Sequence, residues 1–270
     1  MRIGTHEFDT KENTYIMGIL NVTPDSFSDG GKIIGIDAAL KKAEQMKGDG
    51  AAIIDVGGES TRPGYTPVSE EEEMERILPV IEAIKANIEI PVSVDTYKSR
   101  VAEAAILAGA DLINDIWGLK ADPQMAEVIA KHEVACCLMH NRDNTNYKEF
   151  VQDMLNDLKD TINLAQKAGI KENRIMLDPG VGFAKNYEQN LIAIRNLDKV
   201  VELGFPVLLG TSRKSVIGLT LDLPSDERVE GTLVTTVTAI EKGCSFVRVH
   251  DVKENYRAIQ MANAIYRRNI

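Results

Sequence analysis

Short apolar runs alternate with longer segments of helical periodicity along the whole chain, a pattern typical of a parallel α/β fold. The runs that we interpret as buried strands are residues 15–20, 51–56, 91–95, 111–115, 134–140, 174–178, 206–210 and 245–250. Helix signals lie between them, such as the capping box of Ser69 and Glu72, which precedes apolar residues at three- and four-residue steps. Eight strands with a helix after each predict a single (β/α)8 TIM barrel.

We expect one domain over residues 1–270, because no Pro/Ser-rich linker, charge block or low-complexity stretch divides the chain. Residues 1–14 are a polar lead-in that we expect to form a hairpin beneath the barrel, which then spans 15–270. Glycines are expected to end several helices just before the next strand, at Gly48, Gly109, Gly169, Gly204 and Gly243. The rival architecture is a doubly wound open sheet, which usually carries a G-x-G-x-x-G turn after its first strand, and this sequence has none.

The charge balance narrows the classes of partner. The chain has 31 basic and 41 acidic side chains, a formal net charge of −10, and no run of Lys and Arg. Nucleic acid and anionic lipid both require clustered cations, so we expect neither as a partner. The longest apolar run, 134–139, is far shorter than the roughly 20 residues that span a bilayer. With three cysteines in apolar surroundings and no apolar secretion segment near the N-terminus, we expect a cytoplasmic protein.

In a TIM barrel the chemistry lies at the C-terminal ends of the strands, and here each strand delivers a polar residue to that end. Alternation along a strand directs such residues into the barrel mouth. Hydrogen-bond acceptors and an amide suit a neutral heterocycle with several N–H donors, and they are Asp95, Asn114 and Asp178. Cations suit a phosphate or pyrophosphate, and they are Arg62, Lys214, Arg248 and His250.

Each of these residues alone also has a purely structural interpretation. Asp95 is equally consistent with the N-cap of the helix that Thr96 and Ser99 begin. His250 is equally consistent with a packed, hydrogen-bonded histidine. The functional hypothesis depends on convergence, because polar groups at every strand end, divided into an acceptor half and a cationic half, are improbable from structure alone.

The segments at the strand ends resemble those of the dihydropteroate synthases, in the same order along nearly the whole chain. They are 21–31 (NVTPDSFSDGG), 57–64 (GGESTRPG), 93–96 (SVDT), 113–115 (IND), 138–140 (LMH), 177–183 (LDPGVGF), 212–215 (SRKS) and 248–252 (RVHDV). The resemblance implies a (β/α)8 barrel that joins 4-aminobenzoate to 7,8-dihydropterin-6-ylmethyl diphosphate, giving 7,8-dihydropteroate and pyrophosphate with the help of Mg²⁺. Family members are commonly homodimers that assemble through helices on the barrel exterior.

The resemblance also implies a role for each matching residue. The pterin ring would be held by Asp95, Asn114, Asp178 and Lys214, and packed by Ile116, Met139 and Phe183. The metal ligand would be Asn21. The diphosphate would be bound by Thr61, Arg62, Arg248 and His250, and the aminobenzoate would be bordered by Phe27, Pro63 and Ser215. The catalytic set that this implies is Arg62, Lys214, Arg248 and His250.

The sequence departs from the family pattern in three places. Residues 141–146 (NRDNTN) replace a Met-Gln-Gly-Thr type of stretch, Ala184 stands where glycine is common, and Val216 stands where phenylalanine often follows Arg-Lys-Ser. Two alternatives stay open: a methyltetrahydrofolate methyltransferase, which has no pyrophosphate to hold, and a non-catalytic pterin-binding paralogue. For the synthase we favour a dissociative displacement, which the sequence does not separate from a direct one.

Overall fold

A computed structural model describes residues 1–22, 31–59 and 67–266 of the chain. Within these ranges the strands are β1 (Arg2–Ile3), β2 (His6–Glu7), β3 (Tyr15–Asn21), β4 (Ile53–Gly57), β5 (Val92–Asp95), β6 (Leu112–Asp115), β7 (Ala135–Met139), β8 (Ile175–Asp178), β9 (Leu208–Leu209) and β10 (Phe246–Val249). The helices are α1 (Gly31–Gly48), α2 (Glu70–Asn87), α3 (Ser99–Leu107), α4 (Met125–His132), α5 (Phe150–Lys167), α6 (Tyr187–Arg195), α7 (Leu197–Val201), α8 (Ser215–Leu221), α9 (Val229–Glu241) and α10 (Val252–Tyr266). Short 3-10 turns are formed by Glu172–Arg174 and Ser225–Glu227.

Strands β3 to β10 form one parallel sheet in the order β8-β7-β6-β5-β4-β3-β10-β9. The two ends of this order meet, because Leu177 pairs with Val207 in a parallel bridge and donates its N–H to the carbonyl of Pro206 at 2.9 Å. The sheet therefore closes into a barrel with helices packed on its outside. The predicted TIM barrel is confirmed, and its strands lie at the predicted positions. Two helices rather than one follow both β8 and β9.

The barrel strands are buried on both faces, and the alternation of residues decides which face each side chain joins. On β4, Ile53 belongs to the apolar cluster inside the barrel, whereas Ile54 belongs to the cluster between the barrel and its helices. Every residue of β4 is buried. This two-sided burial explains why the strands appear in the sequence as continuous apolar runs.

The polar lead-in forms the expected hairpin. Strands β1 and β2 are antiparallel, with Ile3 opposite His6. Ile3 and Phe8 are buried against the first residues of the barrel strands, and the Phe8 ring lies 5.6 Å from that of Phe246 between centroids. The hairpin thus seals the N-terminal end of the barrel and leaves the C-terminal end as the mouth.

Helix boundaries follow local chemistry with one correction. Ser69 caps α2 by accepting a hydrogen bond from the backbone N–H of Glu72. Left-handed glycines follow helices at the predicted positions 109, 169, 204 and 243, but Gly48 is the last residue of α1, and Gly50 takes the left-handed conformation instead. A Cβ at Gly50 would lie 2.4 Å from the Tyr256 ring, so close approach of α10 adds to the demand for glycine there. None of the helices in the described ranges has the length and apolarity needed to cross a membrane.

Candidate active site

The predicted acceptors lie at or next to the C-terminal ends of three strands of the same parallel sheet. Asp95 and Asn114 are paired across β5 and β6, and Asp178 ends β8. All three side chains are buried. Burying polar groups is unfavourable unless they are hydrogen-bonded, so the partners of these residues decide what the site can do.

Asp55 on β4 is the hub of this cluster, and sequence reasoning missed it. The carboxylate is fully buried and accepts hydrogen bonds from Ser93 Oγ at 2.5 Å and from Asn114 Nδ2 at 3.3 Å. Arg248 Nε donates to it at 2.5 Å. The available signal was a charged residue inside an otherwise apolar strand, on the same face as Ile53.

Arg248 connects the hub to Asp95. Its Nη2 donates to Asp95 Oδ2 at 2.7 Å, whereas Asp95 Oδ1 is buried without a hydrogen-bond partner among the described residues. Burial raises the pKa of Asp95 to about 7, against the opposing effect of Arg248. Burial alone would lower the pKa of Arg248, but the carboxylates of Asp55 and Asp95 hold it above its ordinary value. The arrangement therefore leaves one buried oxygen that requires a donor from outside these contacts.

Asp178 and Lys214 face each other across Gly210. A Cβ at Gly210 would lie 3.5 Å from Asp178 Oδ2 and 3.9 Å from both Lys214 Nζ and Arg248 Cβ, so the three side chains border one space. Burial lowers the pKa of Lys214 to about 8 and raises the pKa of Asp178, while each group opposes the shift of the other. The ammonium of Lys214 also donates to the carbonyl of Val181 at 2.5 Å.

The apolar residues predicted for the pterin site lie at the same rim. Met139, the last residue of β7, and Ile116, just beyond the end of β6, are both buried. Phe183 is half-buried, and the ammonium of Lys214 lies 4.7 Å from the centroid of its ring. A flat, polar ring would therefore meet apolar surface as well as acceptors.

Asn21 ends β3 and is exposed in the mouth. Its Oδ1 and the Asp95 Oδ2 lie 3.7 and 4.0 Å from the place where a Cβ of Gly57 would be. In the described part of the chain, no group of three or more His, Cys, Asp or Glu side chains is arranged to hold a metal ion. A protein amide oxygen still fits Mg²⁺, because this ion usually takes few protein ligands and completes its shell with water and phosphate oxygens.

The remaining predicted residues divide into two groups. His250 follows β10 and is held by Ser212, whose Oγ accepts the backbone N–H of His250 at 3.1 Å and lies 2.9 Å from its Nδ1. Ser215 is exposed at the first residue of α8. Predicted residues outside the described ranges are Phe27, Thr61, Arg62 and Pro63.

Comparison with known proteins identifies the family. The family model described as pterin binding enzyme matches residues 17–250. A dihydropteroate synthase of Clostridium beijerinckii is 64% identical over 269 residues, which cover 99% of this chain and 100% of that protein. The chain belongs to the dihydropteroate synthase family. Members of this family are transferases, and this identity favours the synthase over the methyltransferase alternative.

Solved structures of the dihydropteroate synthase family agree. The dihydropteroate synthase of Clostridium difficile, crystallised in the presence of pteroic acid, superposes with a TM-score of 0.94 at 51% identity, covering 97% of this chain and 100% of that one. The Xanthomonas albilineans dihydropteroate synthase with 4-aminobenzoic acid gives a TM-score of 0.91 at 40% identity, covering 95% of this chain and 94% of that one.

Proposed function

We propose that this member of the dihydropteroate synthase family joins 7,8-dihydropterin-6-ylmethyl diphosphate to 4-aminobenzoate at the barrel mouth. The observation that carries the proposal is Asp95 Oδ1, a buried acceptor without a partner among the described residues. It lies on the carboxylate that Arg248 holds in place at 2.7 Å. A heterocycle with N–H donors supplies the missing hydrogen bond, and a purely structural N-cap does not require it.

The acceptor half of the mouth binds the pterin. Asp95 and Asp178 accept ring N–H groups, and Asn114, oriented by its bond to Asp55, contributes an amide beside them. Lys214 donates to a ring acceptor from the other side of the space at Gly210. Met139, Ile116 and Phe183 pack against the ring faces. Carboxylates bonded to the ring N–H groups also stabilise cationic charge that develops on the pterin and its methylene.

The cationic half binds the diphosphate. Arg248 uses Nε and Nη2 for Asp55 and Asp95, so Nη1 is the nitrogen that the described contacts leave for a phosphate oxygen. His250 lies on the same rim, and Ser212 fixes the orientation of its ring. Thr61 and Arg62 complete this half from outside the described ranges.

The chemical step replaces a C–O bond with a C–N bond. As the methylene C–O bond breaks, its electron pair stays on the leaving pyrophosphate, where Arg62, Arg248 and His250 stabilise the growing negative charge. The neutral amine of 4-aminobenzoate, bordered by Phe27, Pro63 and Ser215, donates its lone pair to the methylene and then loses a proton. We favour bond breaking ahead of attack, because the pterin is electron-rich and its carboxylate partners stabilise a cation.

A magnesium ion fits this arrangement, with Asn21 as its protein ligand. When bound, the ion would neutralise diphosphate charge and favour its departure. The Asn21 side chain would hold the ion from an exposed position that borders the same space at Gly57 as Asp95 does.

We also propose that the protein forms a homodimer and is located in the cytoplasm. Exposed apolar side chains lie on three successive helices, and they are Leu219 on α8, Val234 on α9 and Met261 with Ile265 on α10, with exposed fractions of 59–68%. Such a surface supports a homodimer through these helices. The three cysteines are buried free thiols, which supports a reducing, cytoplasmic location.

The test is pyrophosphate release from the purified protein supplied with the dihydropterin diphosphate and Mg²⁺, with and without 4-aminobenzoate. We expect release that depends on 4-aminobenzoate and equals the dihydropteroate formed. Binding of pteroic acid without any release would contradict the proposal and favour the non-catalytic paralogue.

A further inference from the structure

The loops that follow β7 and β8 are joined by a buried lysine, Lys185, which the proposed function does not use. We define the β7 loop as residues 140–149 and the β8 loop as residues 179–185. Lys185 is 9% exposed, and its Nζ lies 2.8 Å from His140 Nδ1, 2.9 Å from the carbonyl oxygen of Gly180 and 3.0 Å from that of Phe183. A protonated lysine has three N–H donors, so all of them have an acceptor here.

The partner of Lys185 in the β7 loop must be a neutral histidine. His140 is fully buried, and burial lowers its pKa to about 4 in spite of its bond to Asp157. With Nδ1 accepting from Lys185, the ring proton lies on Nε2 and is donated to Asp157 Oδ2 at 2.9 Å. Arg142 holds the same carboxylate through Nε at 2.5 Å and Nη2 at 3.0 Å. The lysine is thus connected to α5 and to the β7 loop by continuous hydrogen bonds.

A second contact joins the two loops one residue away. The hydroxyl of Tyr147 donates to the carbonyl of Ala184 at 2.8 Å, and the guanidinium of Arg142 lies 4.4 Å from the centre of the Tyr147 ring. Ala184 has a φ of +46°, a left-handed conformation that costs a residue with a side chain roughly 1 kcal/mol. Two successive carbonyls of the β8 loop are therefore hydrogen-bonded. The carbonyl of Phe183 accepts from Lys185, and that of Ala184 accepts from Tyr147.

These bonds reach the pterin side of the β8 loop through Gly180. Its carbonyl accepts from Lys185, and its N–H donates to Asp178 Oδ1 at 2.6 Å. The conformation is specific to glycine, because φ is +69° and a Cβ would lie 2.0 Å from the carbonyl oxygen of His140. Lys185 thus helps to fix the backbone of Gly180, whose N–H orients Asp178.

We propose that Lys185 and Tyr147 are positioning residues that hold the β8 loop, and with it Asp178 and Phe183, in the shape that receives the pterin. The inference rests on the proposed pterin site. It also assigns a purpose to two departures from the family pattern, since the unusual β7 loop supplies Arg142 next to Tyr147 and the unusual Ala184 is the residue that Tyr147 holds.

We call the hydrogen bonds of Lys185 and Tyr147 to the β8 loop the brace. Its strength depends on pH, because Lys185 titrates. Burial lowers the pKa of Lys185 to about 7, against the attraction of Asp178. The other groups that face it are Asp157 on α5, Lys120 beyond β6, Lys214 before α8 and His140. As the pH rises through about 7, the ammonium loses one of its three donors, and the hold on the β8 loop weakens. The loop is therefore held most firmly below that pH.

The experiment compares Lys185→Met and Tyr147→Phe with the wild type and with Lys120→Met as a matched control. Lys120 donates at 3.0 Å to Asn141 in the β7 loop instead of to the β8 loop. Steady-state constants are measured for both substrates, with calorimetric titration of pteroic acid from pH 6 to 9. We expect Lys185→Met to raise the KM for the dihydropterin diphosphate about tenfold and Tyr147→Phe about threefold, with Lys120→Met within about twofold of the wild type.

The KM for 4-aminobenzoate separates positioning from general damage. We expect it to change less than about twofold in every variant, and the ratio of wild-type to Lys185→Met affinity for pteroic acid to fall as the pH rises. Taking this ratio removes the part of the pH dependence that the two proteins share. An unchanged pterin KM in folded Lys185→Met, or an equal rise in both KM values, would overturn the proposal.

Two further outcomes are also informative. If Lys185→Met does not fold, Tyr147→Phe, which removes a single hydroxyl, decides the proposal by the same split between the two KM values. If the wild type releases no pyrophosphate, the proposed function fails, and the brace is judged by whether the variants weaken pteroic acid binding. Equal binding by all variants would then reject the brace.

Discussion

Two layers of the barrel interior lie on the same strands, two residues apart, and they differ in chemistry. The lower layer is apolar and continues into the N-terminal hairpin, whereas the upper layer is polar and opens at the mouth. We call them the floor and the mouth. The floor and mouth residues of one strand are, in turn, Ile53 and Asp55, Leu112 and Asn114, Met176 and Asp178, and Phe246 and Arg248.

The difference shows what each layer contributes. Floor side chains lose contact with water and need no partner, so they stabilise the fold by burial. Mouth side chains are buried as well, except for the partly buried Arg248, and their polar groups bond to one another, as those of Arg248 do to Asp55 and Asp95. The satisfaction is incomplete at Asp95 Oδ1. Under the proposed function, the mouth therefore gives up stability for a site that the pterin completes.

The largest effect is expected from removing the main cation of the mouth, Arg248. Arg248→Ala should lower turnover by roughly 10²–10³-fold, because in the proposed mechanism the guanidinium stabilises charge that develops on the leaving pyrophosphate. Removing Arg248 also leaves Asp55 and Asp95 without their cation, so kcat is measured per folded molecule. Arg248→Lys serves as the charge-retaining control and should recover part of the loss. An unchanged kcat with only a raised KM for the diphosphate substrate would contradict the role.

A smaller effect comes from filling the space between the acceptors. Gly210→Ala places a methyl group at ordinary van der Waals distance, 3.5–3.9 Å, from Asp178, Lys214 and Arg248, so the fold should tolerate it. We expect the affinity for pteroic acid, measured by calorimetry, to fall at least about tenfold, because the methyl group would occupy the proposed pterin space. Retained affinity together with an unchanged unfolding midpoint would show that the ring lies elsewhere.

The smallest expected effect concerns how Asp95 makes the stability of the protein depend on pH. The pKa of Asp95 is raised by burial from 3.8 to about 7, so between these values the folded protein holds a proton that the unfolded chain has lost. Stability therefore falls as the pH rises through this window and is lowest above it. Asp95→Asn removes this component, so the stability of the wild type relative to the variant should fall as the pH rises from 4 to 7. Urea unfolding at several pH values measures it, and a constant difference would contradict it.

Periodicity was sufficient to predict the barrel and the hairpin, because strand runs and helix caps are local signals. The positions of Asp95, Asn114 and Asp178 were also predictable, since each is the last or next-to-last residue of its strand. Asp55 was missed because both faces of a barrel strand are buried, so the alternation of polar and apolar residues does not mark the inward face. The remaining signal was the single charge within an apolar strand.

Lys185 was not predicted from the sequence for a different reason. The β8 loop turns back through left-handed Gly180, Gly182 and Ala184, and only this folded path brings the lysine to His140. The same limit applies to the end of α1, where the approach of Tyr256 selects Gly50 rather than Gly48. Contacts between distant segments decide such positions, and a local pattern does not encode them.

The most direct test of the separation between floor and mouth uses two neighbouring positions on β8. Met176→Ala and Asp178→Asn change side chains of one strand, one in the floor and one in the mouth. The free energy of unfolding and the affinity for pteroic acid are measured for both variants. We expect Met176→Ala to lose about 2–5 kcal/mol of stability with unchanged affinity, and Asp178→Asn to lose affinity at least about tenfold with little change in stability. Loss of both properties in both variants would contradict the account.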